Sequence, residues 1–233
     1  AQGRKSGLEA EEALVDPLAV VLASPGFLYL SEAEEAGAKR KPLTLRELAV
    51  RVSYFLWSAP PDEALYQSAE KGTLKNSAEL TRQVDRMLDD PRAEAFYHSF
   101  MSQWFELHRF DDIAVNPQDY LMFDEQVRYS AREEPIRFFE HLVKKNLSLG
   151  NLIDSDFAML DPLLAHFYGI QGVDGQGFRK VNLPPESPRG GLIGTTAFMT
   201  MGSTGDRTSP IIRGTLVLDK FLHDPSADPP PNV

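Results

Sequence analysis

Apolar positions recur at helical spacing along most of this chain. Leu45, Leu48, Ala49, Val52, Phe55 and Leu56 follow at the three- and four-residue intervals that share one face of an α-helix. Thr44 and Glu47 have the spacing of a capping box at its start, and Ala59-Pro60-Pro61 stops it. Pro61 and Asp62 open a short helix that runs to Lys71 and closes at Gly72. Ser77 is placed to cap the next, with Leu80, Val84, Met87 and Leu88 on one face and a break at Asp90-Pro91. Phe96, Phe100, Trp104 and Leu107 predict one amphipathic helix over 92–110 with that stripe inward. Residues 119–145 predict a long helix bent at Pro135, because an interior proline removes one backbone bond and pushes the preceding turn away.

Shorter helices are predicted at 9–23, 151–153, 162–168, 190–200 and 210–222, and an exposed acidic loop at 31–41. Residues 172–188 are rich in glycine and proline with one strand-like run, 178–183, and predict a long loop with room for a hairpin. No repeat occurs at a fixed period. The fold class expected is all-α. Residues 1–171 form a multi-helix, bundle-like body, 172–188 a connection, and 189–233 a less regular helical segment with a proline-rich exit.

Composition narrows the function classes. The chain has 233 residues, enough for a sizeable core. With 24 Lys and Arg against 34 Asp and Glu, its net charge of −10 argues against a nucleic-acid partner. There is no cysteine, which excludes disulfides, thiolate nucleophiles, cysteine-ligated metals and covalent haem attachment within these residues. No run of 18 apolar residues provides a transmembrane helix.

The candidate chemistry concentrates at 205–214. Pro210 suits a first helical turn and Ser209 or Thr208 its N-cap, with Arg207 and Arg213 beside the start. A helix N-terminus carries roughly half a positive charge. Together these residues form a candidate anion site for a carboxylate, a phosphate or a haem propionate. The plainer reading is a capped helix whose arginines pair with surface acids.

Other residue types carry weaker signals. His98, His108, His141, His166 and His223 show none of the helical spacings that bring two metal ligands to one face. A histidine such as His166 is more often hydrogen-bonded and half-buried than a ligand. A methionine at 199 or 201 can ligate haem, but the two point to different faces, and core filling is the default. The pairs Asp89-Asp90, Asp111-Asp112 and Glu133-Glu134 are sequence neighbours about 100° apart on a helix, unlike a catalytic pair across a cleft. Exposed charge is the default for Glu134 and Glu140. The aromatic set Tyr54, Phe55, Trp57, Phe96, Tyr97, Phe100, Trp104, Phe105, Phe138 and Phe139 is expected in the core. Neither a phosphate-binding glycine loop nor a Gly-x-Ser-x-Gly elbow is present.

Several segments carry a family resemblance: Leu-Ala-Ser-Pro-Gly-Phe-Leu (22–28), Glu-Leu-Ala-Val-Arg-Val-Ser-Tyr-Phe-Leu-Trp-Ser-Ala-Pro-Pro-Asp (47–62) and Arg-Met-Leu-Asp-Asp-Pro-Arg-Ala (86–93). Phe100 to Leu107 with Gln103-Trp104, then His166-Phe167-Tyr168-Gly169, Arg189 to Leu192, and Arg207 to Gly214 with the closing prolines continue it. In this order and spacing the chain resembles a planctomycete-type family of secreted, cytochrome-associated proteins. It spans the domain of unknown function 1592 and the start of the domain of unknown function 1588. In that family the proline exit leads to a Cys-x-x-Cys-His haem motif, and further modules precede the region seen here.

The resemblance implies an export route, to the periplasm or the cell surface, and a role near electron transfer. It also implies that this chain looks like part of a larger protein. The expectation is an auxiliary or scaffold module that binds no haem covalently. A c-type haem would sit on an adjoining segment or on a cytochrome partner, with Arg207, Thr208, Ser209 and Arg213 as the contact to a propionate or another acidic group. The alternatives are a structural interaction subunit of a larger membrane-attached complex, or an enzyme acting on extracellular polymer through Glu134, Glu140, His141 and Asp156.

Overall fold

A computed structural model describes residues 12–29 and 42–224. The predicted helix start at residue 9, the acidic loop at 31–41 and the proline exit lie outside them. Among the described residues the chain is helical, with one small two-stranded sheet. It divides into two compact units: Pro61–Leu80 with the chain up to Val52, and Ser53–Pro60 with the chain from Thr81 onward.

The first unit holds α1 (Glu12–Leu22), α2 (Pro25–Leu28), the start of α3 (Leu45–Trp57) and α4 (Glu63–Glu70). The capping box forms as the spacing predicts: Thr44 N–H donates to Glu47 Oε2 at 2.7 Å, and Glu47 N–H to Thr44 Oγ1 at 3.2 Å. Asp62 caps α4 by accepting from Leu65 N–H. Leu65, Ala69 and Leu74 are buried. α5 (Ser77–Asp89) starts here, but its cap is Asn76, whose Oδ1 accepts from Ala78 N–H at 2.9 Å; Ser77 is already in the first turn.

In the second unit the end of α3 is fixed by Trp57, which is buried and donates to the Met87 carbonyl at 2.9 Å. The predicted helix over 92–110 is two helices, α6 (Glu94–Trp104) and α7 (Leu107–Asp112). The break falls at Glu106, in the left-handed region at φ 51°. The inward row is also one residue away from the expected stripe. Tyr97, Met101 and Phe105 are buried, whereas Phe96, Phe100 and Trp104 are only partly covered; of the expected stripe Leu107 alone is buried. Both rows are apolar at helical spacing, so which one turns inward depends on the neighbouring helices. Part of the aromatic set therefore forms a surface ridge. Phe55, 61% exposed, lies 5.0 Å from Phe96, and Phe100 stacks on Phe139 at 4.8 Å.

The long helix is α8 (Glu125–Lys144), with buried Pro135 inside it. It starts later than the pattern predicts because Asp124 caps it, accepting from Gln126 and Val127 N–H. Arg128 on α8 donates to the carbonyls of Phe110 and Ile113 and so satisfies the end of α7. α9 (Pro162–Phe167) is capped by Asp161. The strand-like run is real, but its partner lies upstream: β1 (Phe157–Leu160) pairs antiparallel with β2 (Arg179–Asn182), Phe157 opposite Asn182.

The predicted helix at 190–200 is a 3₁₀ turn, Leu192–Gly194, followed by α10 (Thr196–Met201) with Thr195 as cap. α11 (Pro210–Leu222) matches its prediction. It is tied down at its far end, where the Trp104 indole N–H donates to the Lys220 carbonyl at 3.0 Å and Phe221 packs against Trp104, Phe105 and Phe198.

Candidate functional site: a cleft with two arginines

One cleft of about 820 Å³ opens in the second unit. One side is built by Val115, Tyr120, Phe123, Ile153, Asp154 and Phe167, the other by residues from Ser187 to Val217. Two glycines let these sides approach. Gly205, at φ 90°, lies so close to the Ala114 carbonyl that a Cβ there would overlap it, and Asn116 N–H donates to the Gly205 carbonyl. Gly191, at φ 62°, meets the Ile153 backbone within 2.6 Å of where a Cβ would stand.

Of the four predicted site residues, Thr208 and Arg213 line this cleft. Arg213 donates through Nη2 to Thr208 Oγ1, and its Nε is buried without an acceptor, packed on Gly202. Ser209 is the helix cap, its Oγ accepting from Ile212 N–H at 3.3 Å. Arg207 is exposed and lies outside the cleft lining. The helix start offers few donors of its own. Pro210 has no N–H, Ile212 N–H is taken by the cap, and Arg213 N–H by the Ser209 carbonyl. Any anion there would rest on side chains.

Sequence reasoning missed Arg189 as a site residue. Its guanidinium carbon stands 3.5 Å over the Tyr168 ring, and its Nη1 donates to the Gly194 carbonyl at 3.1 Å. Neither Arg189 nor Arg213 forms an ion pair among the described residues, and Asp154, the one acid in the lining, pairs with neither.

Behind Tyr168 lies Glu134, which the sequence reading placed at the surface and which is fully buried. Tyr168 O–H donates to its Oε2 at 2.5 Å, and Thr196 N–H does so at 3.1 Å; Thr196 O–H donates to Tyr168. Burial pushes the Glu134 carboxyl up to about 7, against the pull of these bonds and of nearby Arg189. Burial also raises the Tyr168 phenol well above its ordinary value, with Glu134 adding to the effect. The sequence signal for Glu134 was its place in the stripe Val127, Ala131, Glu134, Phe138, Leu142, where every other member is an apolar, buried residue.

The four residues of the enzymatic alternative do not converge. Glu140 and His141 line a separate depression, Glu134 is enclosed, and Asp156 is exposed. None of the five histidines lines the cleft. His166 is exposed, in contrast to the half-buried setting expected. Met199 lines the cleft and Met201 is in the core. Among the described residues no group of three or more His, Asp and Glu could hold a metal ion, and no helix is long and apolar enough to cross a membrane.

Residues 43–170, more than half of the chain, match the family PSD4, described as a protein of unknown function (DUF1592). The chain belongs to this family. Residues 189–233 match a second, PSCyt3, also a protein of unknown function (DUF1588). No curated protein and no solved structure matches the chain. The cleft draws one side from each matched segment, with Phe123 and Phe167 in the first and Arg189 and Arg213 in the second. No Cys-x-x-Cys-His motif occurs in these 233 residues, since the sequence has no cysteine.

Proposed function

We propose that this protein is an auxiliary or scaffold module of a periplasmic or cell-surface c-type cytochrome protein working in electron transfer. The helix start at Arg207, Thr208, Ser209 and Arg213 is its contact to a haem propionate or another acidic group. The observation that carries the reading is Arg213, an arginine fixed beside that start with no carboxylate partner, in a chain where acids outnumber bases. The PSCyt3 name points to cytochromes and supports the same reading.

The residues suit a non-covalent role. Arg213 and Thr208 supply charge and a hydroxyl at the cleft, the neighbouring Phe198 and Met199 shield an apolar ring edge from water, and no cysteine is available for attachment. A c-type haem carried on an adjoining segment or partner would supply one-electron transfer; this chain would orient and cover it.

A second reading has its own support. The aromatic ridge in which exposed Phe55 and Phe100 pack on half-buried Phe96 and Phe139 suits a structural interaction subunit.

The test is the intact mass and visible absorption spectrum of the protein purified from its native source, with an Arg207→Ala/Arg213→Ala variant beside it. Soret and α/β bands that shift in the variant support the cytochrome reading. A colourless protein of about the 26.0 kDa of this chain overturns it in favour of the interaction subunit.

A further inference from the structure

The cleft has more to it than the helix start. Its volume, about 820 Å³, falls in the range of roughly 300–1,000 Å³ typical of small-molecule sites. Its walls are largely apolar and aromatic, with Tyr120, Phe123, Phe167 and Phe198 contributing rings. Two arginines line this space, and the guanidinium groups of both are already held in place. Arg189 is stacked on Tyr168 and bonded to the Gly194 carbonyl; Arg213 is bonded to Thr208 and packed on Gly202. Fixed donors lose little conformational freedom when a ligand arrives.

Their lack of carboxylate partners is telling in a chain with 34 acidic side chains and 24 basic ones. Arg137 and Arg132 of the same unit are answered by acids, the first by Glu94, Glu133 and Glu140 and the second by Asp111, while Arg179 donates to backbone carbonyls. At the cleft, Asp154 of the lining and the buried Glu134, which feels Arg189, form no ion pair with either arginine, so a ligand carboxylate has donors to meet.

We propose that the cleft is a binding site for a flat aromatic molecule bearing a carboxylate, its rings between the aromatic walls and its carboxylate on Arg189 and Arg213. This goes beyond the cytochrome reading, because it rests on Arg189 and the walls and holds whether or not a haem protein is the partner. Two sources share the chemistry: a free aromatic acid, or a porphyrin propionate presented by an adjoining segment or partner.

The experiment is a fluorescence titration of the chain with 1-pyrenebutyrate, using 1-pyrenebutanol as the uncharged control with the same ring system. The acid is expected to bind about tenfold more tightly than the alcohol, and Arg189→Gln and Arg213→Gln each to remove about that factor, the scale of one charge-assisted contact. Because Arg189 also braces Tyr168 and Gly194, a second variant, Met199→Trp, adds bulk to the cleft lining and leaves both arginines in the sequence; it is expected to abolish binding of both probes.

Equal binding of acid and alcohol overturns the proposal. So do full affinity in both arginine variants, undiminished binding in Met199→Trp, and absence of binding by the unaltered chain. Displacement of pyrenebutyrate by metal-free protoporphyrin IX supports the site with a porphyrin as its natural occupant; failure to displace supports it with a smaller aromatic acid. A colourless native protein whose cleft still takes pyrenebutyrate overturns the cytochrome reading alone.

Discussion

Two depressions of the second unit have similar size and different charge balance. The cleft occupies about 820 Å³; the other, beside Glu133, Arg137 and Glu140 of α8, about 720 Å³. In the second depression the charges answer one another. Arg137 reaches Glu94 at 2.8 Å and Glu133 and Glu140 at 3.1 Å, while Lys144 reaches Glu140 at 2.7 Å. The Arg137 hydrogen bond holds the Glu94 carboxyl below its ordinary value. In this network every charge has an opposite charge beside it, although Glu133 Oε2 is buried without a hydrogen bond. At the cleft two arginines have carbonyl, hydroxyl and ring partners but no carboxylate. Volume alone does not separate the two places; the balance of charge does.

The largest effect expected is at the seam that shapes the cleft. Gly205→Ala puts a Cβ into the Ala114 carbonyl at a φ of 90°, a conformation that L side chains rarely adopt. It should cost about 3–5 kcal/mol and show as a large drop in melting temperature. A melt within a degree of the unaltered protein would mean that the seam is looser than drawn.

Next is the buried carboxyl beside the cleft. Glu134 titrates near 7 in the folded chain and near its ordinary 4.5 when unfolded. Below 4.5 both states are protonated and burial costs nothing through this group. As pH rises from 4.5 to 7 only the unfolded state ionises freely, so stability falls, and it levels off above 7. The span is up to about 3 kcal/mol. Glu134→Gln, with Tyr168, Arg189 and Asp161 left around it, should flatten that part of the profile in denaturant titrations at stepped pH. An unchanged slope would place the carboxyl's titration elsewhere.

The smallest pair sharpens the comparison most directly. Arg137→Ala strips the arginine from Glu133, whose side chain is 5% exposed, leaving His98 at 3.6 Å, and should cost about 2 kcal/mol, moderated because Arg137 is itself a quarter exposed. Arg213→Met removes a group with no charge partner and a buried unsatisfied Nε, and should stay within about 1 kcal/mol of the unaltered protein. Equal losses in urea unfolding would erase the distinction between the two regions.

Much of the fold was legible in the sequence because it depends on neighbours along the chain. The capping box at Thr44 and Glu47, the stop at Pro60-Pro61, and α11 with its Ser209 cap all formed where local spacing put them. What was misplaced involved choices between equivalent local options. The helix over 92–110 carries two apolar rows, and only packing selected Tyr97, Met101 and Phe105. Asn76 and Ser77 are both good caps, and the first was used. The strand-like run at 178–183 was visible, but its partner β1 is a four-residue segment that periodicity cannot separate from a loop.

The candidate site divides the same way. Sequence by itself determined an all-helical, cysteine-free, acidic chain with a capped helix start flanked by Arg207 and Arg213. Only the tertiary structure decided that Arg213 faces a cleft while Arg207 faces outward, that Arg189 joins it, and that Glu134 is enclosed behind Tyr168. The reason is physical. Helix starts and stops follow from interactions within a few residues, whereas a cavity and the charge left unanswered inside it depend on side chains brought together across long separations, as Glu134 and Thr196 are across 62 positions.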